Sequence, residues 1–179
     1  MRKEIIETVE IPEGTEAVLE DKTITIKKGG NELKKKFSGF GIKKEGSTLV
    51  LHYTNATKKT KKMIKTAAAH IRNMISGLGE KYVYKLQVCF VHFPVSVELK
   101  PGELLIKNFL GEKVPRKAKI LAGAEVKLEK DILTVTSFDK NIAGQTAANI
   151  ETSSRIKNRD RRVFQDGIFM IQKSKGKAR

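Results

Sequence analysis

The sequence predicts an α+β fold made of two tandem copies of a similar module, each a mainly antiparallel β-sheet covered by one α-helix. Three observations lead there. Short hydrophobic alternations broken by turn residues fill residues 5–54, an amphipathic helical stretch follows, and the same order begins again after residue 82. The two halves also correspond piece by piece: TITIKK with ELLIKN, GSTLVLHYT with KDILTVTSF, and AAHI (68–71) with AANI (147–150). This sets modules at residues 1–81 and 82–179.

In the first module, TITIKKGG (23–30) and STLVLHYT (47–54) alternate apolar and polar residues as half-buried strands do. The helix is TKKTKKMIKTAAAHIRNMISGLG. Its positions Ile64, Ala67, Ala68, Ile71, Ile75 and Leu78 recur at three- and four-residue steps, while Lys58, Lys61, Lys62, Lys65 and Arg72 take much of the remaining surface. Gly77 and Gly79 are expected to stop it. The second module runs through VYKLQVCFVHF (83–93), ELLIKNF (103–109), AEVKLE (124–129) and ILTVTSF (132–138). Asp139 is a predicted N-cap for the helix NIAGQTAANIETS, with Ala143, Ala147 and Ile150 on one face. A sheet with one apolar face needs a cover, and the alanines let each helix approach closely.

The chain has 179 residues, enough for one large or two small domains, with 39% hydrophobic and 31% charged residues. It holds no run of the ~18–20 apolar residues that span a bilayer, and its opening, MRKEIIETVEIPEG, lacks the apolar core of a secretory signal. A single cysteine, Cys89, forbids an intramolecular disulfide; a cytosolic protein with one buried structural thiol is expected.

Charge is the strongest functional signal. The formal net charge is +16, and a surface so cationic attracts polyanions. The distribution is uneven: residues 1–21 hold two cations and seven acids, whereas residues 155–179 hold nine cations and two acids. Five of the eight arginines fall in that last segment, and arginine presents a planar fork suited to phosphate. Nucleic acid is therefore the expected partner, ahead of general solubility or anionic lipid.

Signs of catalysis are missing from the sequence. His52, His70 and His92 lie in strand, helix and strand contexts without a carboxylate at metal-ligand spacing, and no H-E-x-x-H, C-x-x-C or phosphate-loop motif occurs. Apolar neighbours argue against Cys89 as a nucleophile. Neither an enzyme, a cofactor nor a metal is expected.

The binding candidates are Arg155, Lys157, Arg159, Arg161 and Arg162. An extended chain would put the first four on one face, roughly 6–7 Å apart and near the phosphate spacing of a nucleic-acid strand. Phe164, Ile168 and Met170 would anchor the segment in the core. Lys113, Arg116 and Lys117 form a second cationic loop, and Lys173, Lys175, Lys177 and Arg179 a basic tail ordered by a polyanion. The lysine set Lys34, Lys35, Lys36, Lys43 and Lys44 reads as a solvated face.

These motifs together resemble the universal large-subunit ribosomal protein family six, in its archaeal and eukaryotic branch. The resemblance is carried by VEIPEGTEAVLEDKTITIKKGGNELKKKF (9–37), LLIKNFLGEK (104–113), FDKNIAGQTAANIE (138–151) and IKNRDRRVFQDGIF (156–169), in order along essentially the whole chain. Two features depart from it: Gly29-Gly30-Asn31-Glu32 replaces a frequent Gly-Pro-x-Gly turn, and Phe169 stands where a tyrosine is expected. The bacterial branch has a different, shorter lysine–glycine segment in place of 156–167, so the archaeal or eukaryotic branch fits, and the compact length favours the archaeal.

The resemblance implies a structural, non-enzymatic protein of the cytoplasmic large ribosomal subunit. Its second module would bind large-subunit rRNA near the sarcin–ricin region, where translational GTPases dock. Neighbouring large-subunit proteins are implied as further partners, with neither a membrane nor a homo-oligomer. Arg155 to Arg162 and Lys173 to Arg179 become the leading rRNA contacts, followed by Lys113, Arg116 and Lys117. A non-ribosomal RNA-binding protein, an RNA-modification enzyme with a cryptic site and a basic peripheral membrane protein are the alternative readings.

Overall fold

A computed structural model describes residues 3–20, 22–160 and 162–174. The chain separates into two compact units, dividing between Glu80 and Lys81. It is α+β, with antiparallel sheets and one long helix in each unit.

In the first unit β1 (Lys3–Glu10), β6 (Thr48–Ala56) and β5 (Gly41–Glu45) form one sheet in that order, and β2 (Glu16–Glu20), β3 (Thr23–Lys28) and β4 (Asn31–Lys36) form a second. Alternation dictates which residues go inside: Ile24 and Ile26 of β3 and Leu49 and Leu51 of β6 are fully buried. The β3–β4 hairpin pairs Lys28 with Asn31 across Gly29 and Gly30, whose φ values of 55° and 82° are both left-handed. That is the two-residue turn whose twist matches the strands, so the departure noted at Gly29–Gly30 is accommodated by glycine's freedom at positive φ.

Helix α1 (Lys58–Gly79) begins at Thr57, whose hydroxyl accepts the Thr60 N–H at 3.3 Å. It buries Ile64, Ala67, Ala68, Ile71, Met74 and Leu78. Ile75, expected in this stripe, packs only at its margin, because Met74 completes the 64–67–71–74–78 spacing. Gly77 does not stop the helix; it is buried inside the last turn, and the helix ends at Gly79.

The second unit repeats this plan. A meander of β8 (Ser96–Lys100), β9 (Glu103–Lys107) and β10 (Arg116–Lys119) forms one sheet, and β11 (Glu125–Glu129), β12 (Ile132–Ser137) and β7 (Tyr82–Cys89) belong to the other. Leu104 and Ile106 of β9 and Leu133 and Val135 of β12 are buried as their counterparts are in β3 and β6. Helix α2 (Lys140–Ser153) starts at Asp139, whose carboxylate accepts the Asn141 N–H at 2.8 Å. Ala143, Ala147 and Ile150 lie fully buried beneath it. One element has no counterpart among the described residues of the first unit: β13 (Gly167–Gln172) pairs antiparallel with the outer edge of β7, giving the order β11-β12-β7-β13. His92 lies in the bend after β7 rather than in a strand, and Cys89, at the end of β7, is half-buried rather than buried.

Because Ala147 sits with no accessible surface against the sheet, Ala147→Leu should overpack the interface and cost about 1–3 kcal/mol. Urea denaturation of the two proteins measures this, and an unchanged midpoint would contradict the close approach of helix and sheet.

A candidate nucleic-acid interface on the second unit

The cationic segment joins α2 to β13, and its two ends are fastened together. Ser154, buried just past α2, donates its hydroxyl to the Glu151 carbonyl at 3.0 Å and accepts the Ile168 N–H at 2.8 Å. Residues 155–166 are therefore a closed loop on a hydrogen-bonded base. This is not the extended strand expected from alternating cations. Asn158 adopts a left-handed φ of 57°. Asp160 then folds the chain back, its carbonyl accepting the Val163 and Phe164 N–H groups at 3.2 and 2.9 Å and its carboxylate accepting the Arg162 N–H at 2.9 Å. Asn and Asp form such turns readily because they tolerate positive φ and bond to the nearby backbone. They override a pattern that carried charge, but no apolar face to bury.

The anchor inside the loop is Asp166, with 2% of its surface exposed. One oxygen accepts the Val91 and His92 N–H groups at 2.7 and 3.2 Å, and the other lies 2.6 Å from His92 Nδ1. Burial by itself would raise this carboxyl's pKa. The hydrogen bonds from Val91 N, the His92 ring and His92 N outweigh burial and hold it below the ordinary carboxylate range. The His92 ring stacks on Phe164 with centroids 4.8 Å apart, and the Arg159 guanidinium lies over the same ring at 4.8 Å. Phe164 is thus half-buried between His92 and Arg159, not a core anchor as expected. Of the expected apolar anchors only Ile168 is fully inside, and Met170 packs at the edge of the core.

Arg116 reaches the loop from β10. It gives its Nε–H to Glu112 at 2.8 Å, gives Nη1 to the Ser153 and Arg155 carbonyls at 3.1 and 2.9 Å, and lies 4.2 Å over the Phe109 ring. Its donors are engaged inside the protein, so it braces the start of the loop rather than standing open to a ligand. The hydrogen bond from Arg116 is also the main reason the Glu112 carboxyl is held below its usual range.

The remaining predicted cations face solvent. Arg155, Lys157, Arg159, Lys113 and Lys173 are exposed. Lys117 is exposed with Glu103 at 4.0 Å. Arg162 pairs with Asp160 at 2.9 Å while its side chain stays 91% exposed, and a surface pair of this kind is screened by solvent and exchanges readily. Arg161, Lys175, Lys177 and Arg179 lie outside the described residues. Arg116, with its bonds to Ser153 and Arg155, brings the turn at Glu112 and Lys113 beside the start of the loop, whereas Lys117 lies on the other face of β10 and Lys173 follows the end of β13 away from the loop.

Sequence reasoning missed Asp166 and His92. They are 74 residues apart and lie in no recognisable motif. An acid inside a basic run, just before an apolar strand, was the available signal. Among the described residues no group of three or more His, Cys, Asp or Glu could hold a metal, and no helix is long and apolar enough to cross a membrane.

A family model described as Ribosomal protein L6 matches residues 93–167, which include the loop. Over nearly its whole length the chain is similar to Large ribosomal subunit protein uL6 from two organisms. Identity to the Methanobrevibacter smithii protein is 41% over 171 residues, covering 94% of this chain and 96% of that one. Identity to the Methanococcus vannielii protein is 40% over 172 residues, covering 95% and 94%.

The Asp166 clamp predicts a pH signature. Its folded pKa is lowered, so its stabilisation is present above the unfolded carboxyl pKa of about 3.9 and is lost as pH falls through the folded value. Urea denaturation at stepped pH should show the parent losing stability on acidification more steeply than Asp166→Asn. At neutral pH, Asp166→Ala should cost about 1–3 kcal/mol, since it strands buried donors. Parallel pH profiles for parent and Asp166→Asn would refute the clamp.

Proposed function

Because this chain belongs to the ribosomal protein L6 family, in its archaeal branch, we propose that it is a structural constituent of the large ribosomal subunit whose second unit binds large-subunit rRNA. It turns over no substrate. Its partners are the rRNA and neighbouring large-subunit proteins in the cytoplasm, and the family resemblance of its loop and helix motifs supports a position near the sarcin–ricin region, where translational GTPases dock.

The observation that carries the reading is the closed loop. Arg155, Lys157 and Arg159 are exposed on a backbone fixed at both ends and pinned at Asp166. Cations held this way lose little freedom on meeting a polyanion, so more of the phosphate attraction survives as affinity. Lys113 and Arg162 are exposed near these cations, and Lys117, Lys173, Arg161, Lys175, Lys177 and Arg179 add charge along the sequence. A fixed cationic surface of this kind reads the shape of a folded RNA through its phosphates and leaves base sequence secondary.

Fluorescence anisotropy with large-subunit rRNA tests this. If about five cations meet phosphates, log affinity should fall with log salt at a slope of about −4. Replacing Arg159, Arg161 and Arg162 together by alanine should flatten that slope by about two units. Thermal stability should stay nearly unchanged, since Arg159 and Arg162 are exposed. A triple variant that binds as the parent does would overturn the assignment of the loop.

A further inference from the structure

Beside the cationic loop the second unit opens a cleft of about 1050 Å³. Its floor is the outer face of the sheet where β7 meets β13. Gln87 and Cys89 point away from the core there, alternating with buried Leu86 and Val88, and Phe169 stands across from Gln87. Arg155, Arg162 and Phe90 line it as well. Gly167 shapes the floor: a Cβ there would come within 3.0 Å of the Phe169 ring, so the absent side chain lets that ring lie along the strand.

Folding gives no reason for the aromatic surface left open here. Phe90 is 43% exposed and Phe169 is 37% exposed, whereas Phe164 is covered by His92 and Arg159. Open rings next to guanidinium groups suit a flat, anionic ligand better than an apolar protein side chain, which has no use for the charge. Three carboxylates line the cleft as well: Asp166 is committed to Val91 and His92, Glu151 accepts the Met170 N–H at 3.4 Å, and Asp131 lies at the β11–β12 turn, so the phosphates are assigned to the Arg155 and Arg162 side.

We propose that this cleft receives one unpaired RNA base, stacked on Phe169 and Phe90, with the Gln87 amide at the base edge and the flanking phosphates on Arg155 and Arg162. The proposal rests on the RNA-binding reading and adds to it a site for a nucleobase. Base–aromatic stacking depends little on base identity, so the cleft selects an unstacked nucleotide rather than a sequence.

The test uses the full chain and two RNA probes: a short single strand carrying one 2-aminopurine, and a blunt duplex of the same sequence. Binding of the single strand should quench the 2-aminopurine. Phe169→Ala should weaken single-strand binding by about tenfold and leave duplex binding unchanged. Cys89, the only cysteine, provides a readout on the unaltered protein, so the test survives a variant that fails to fold. The single strand should slow its alkylation by iodoacetamide, and the duplex should not. Equal binding of both probes, without quenching or protection, would overturn the base site and leave phosphate binding standing. Failure of both probes to bind would overturn the two together. Protection of Cys89 by a neighbouring large-subunit protein but not by RNA would reassign the cleft and overturn the proposal.

Discussion

One buried carboxylate holds the cationic loop to the fold. The loop between α2 and β13 is poor in apolar residues, and one of the few, Val163, is 64% exposed. Ile156 packs at the edge of the core, but so little hydrophobic burial cannot by itself fix such a segment, and a polar clamp adds to it. Asp166 loses its hydration on entering the interior, a cost offset only because Val91, His92 and their backbone donors satisfy both of its oxygens. Through His92 the same clamp positions Phe164, and through Phe164 it supports Arg159. The placement of Arg159 thus follows from an anion buried beneath it.

Much of the scaffold could be read from the residues alone, because its rules are local. The apolar stripes of α1 and α2, the Asp139 cap and the matching strands of the two halves rest on periodicity and capping, which act within a few positions. Met74 in place of Ile75 marks the resolution of that reasoning: one residue of rotation around a helix is set by packing. The loop was less legible for two physical reasons. Alternating charges mimic strand periodicity without any apolar face to enforce it, and Asn158 and Asp160 turned the chain instead. Arg116 presented the same difficulty in reverse. As a sequence feature it was one more cation, and only the meeting of β10 with the end of α2 shows that its donors are used within the protein.

The two units share a plan and differ at one edge. In the first, β1 pairs with β6 and its other edge carries no strand among the described residues; in the second, the equivalent edge of β7 is covered by β13. The added strand removes an unpaired edge, which sheet proteins generally protect, and it carries the cationic loop with it. Acidic residues gather near the start of the chain and arginines near its end. Both units carry exposed cations, as lysines along the start of α1 in the first (Lys58, Lys59, Lys61, Lys62 and Lys65), while the extension after α2 gives the second its cluster of arginines.

The bond between Ser154 and Ile168 separates what the loop presents from what the sheet requires. With both ends seated on one hydroxyl, residues can be gained or lost between them while β13 keeps its register on β7. The entropy of closing a flexible loop grows slowly, by about 0.6 kcal/mol for each doubling of its length. The stretch therefore works as a cartridge: its length and contents can change at small entropic cost while the frame that holds it keeps its pairing.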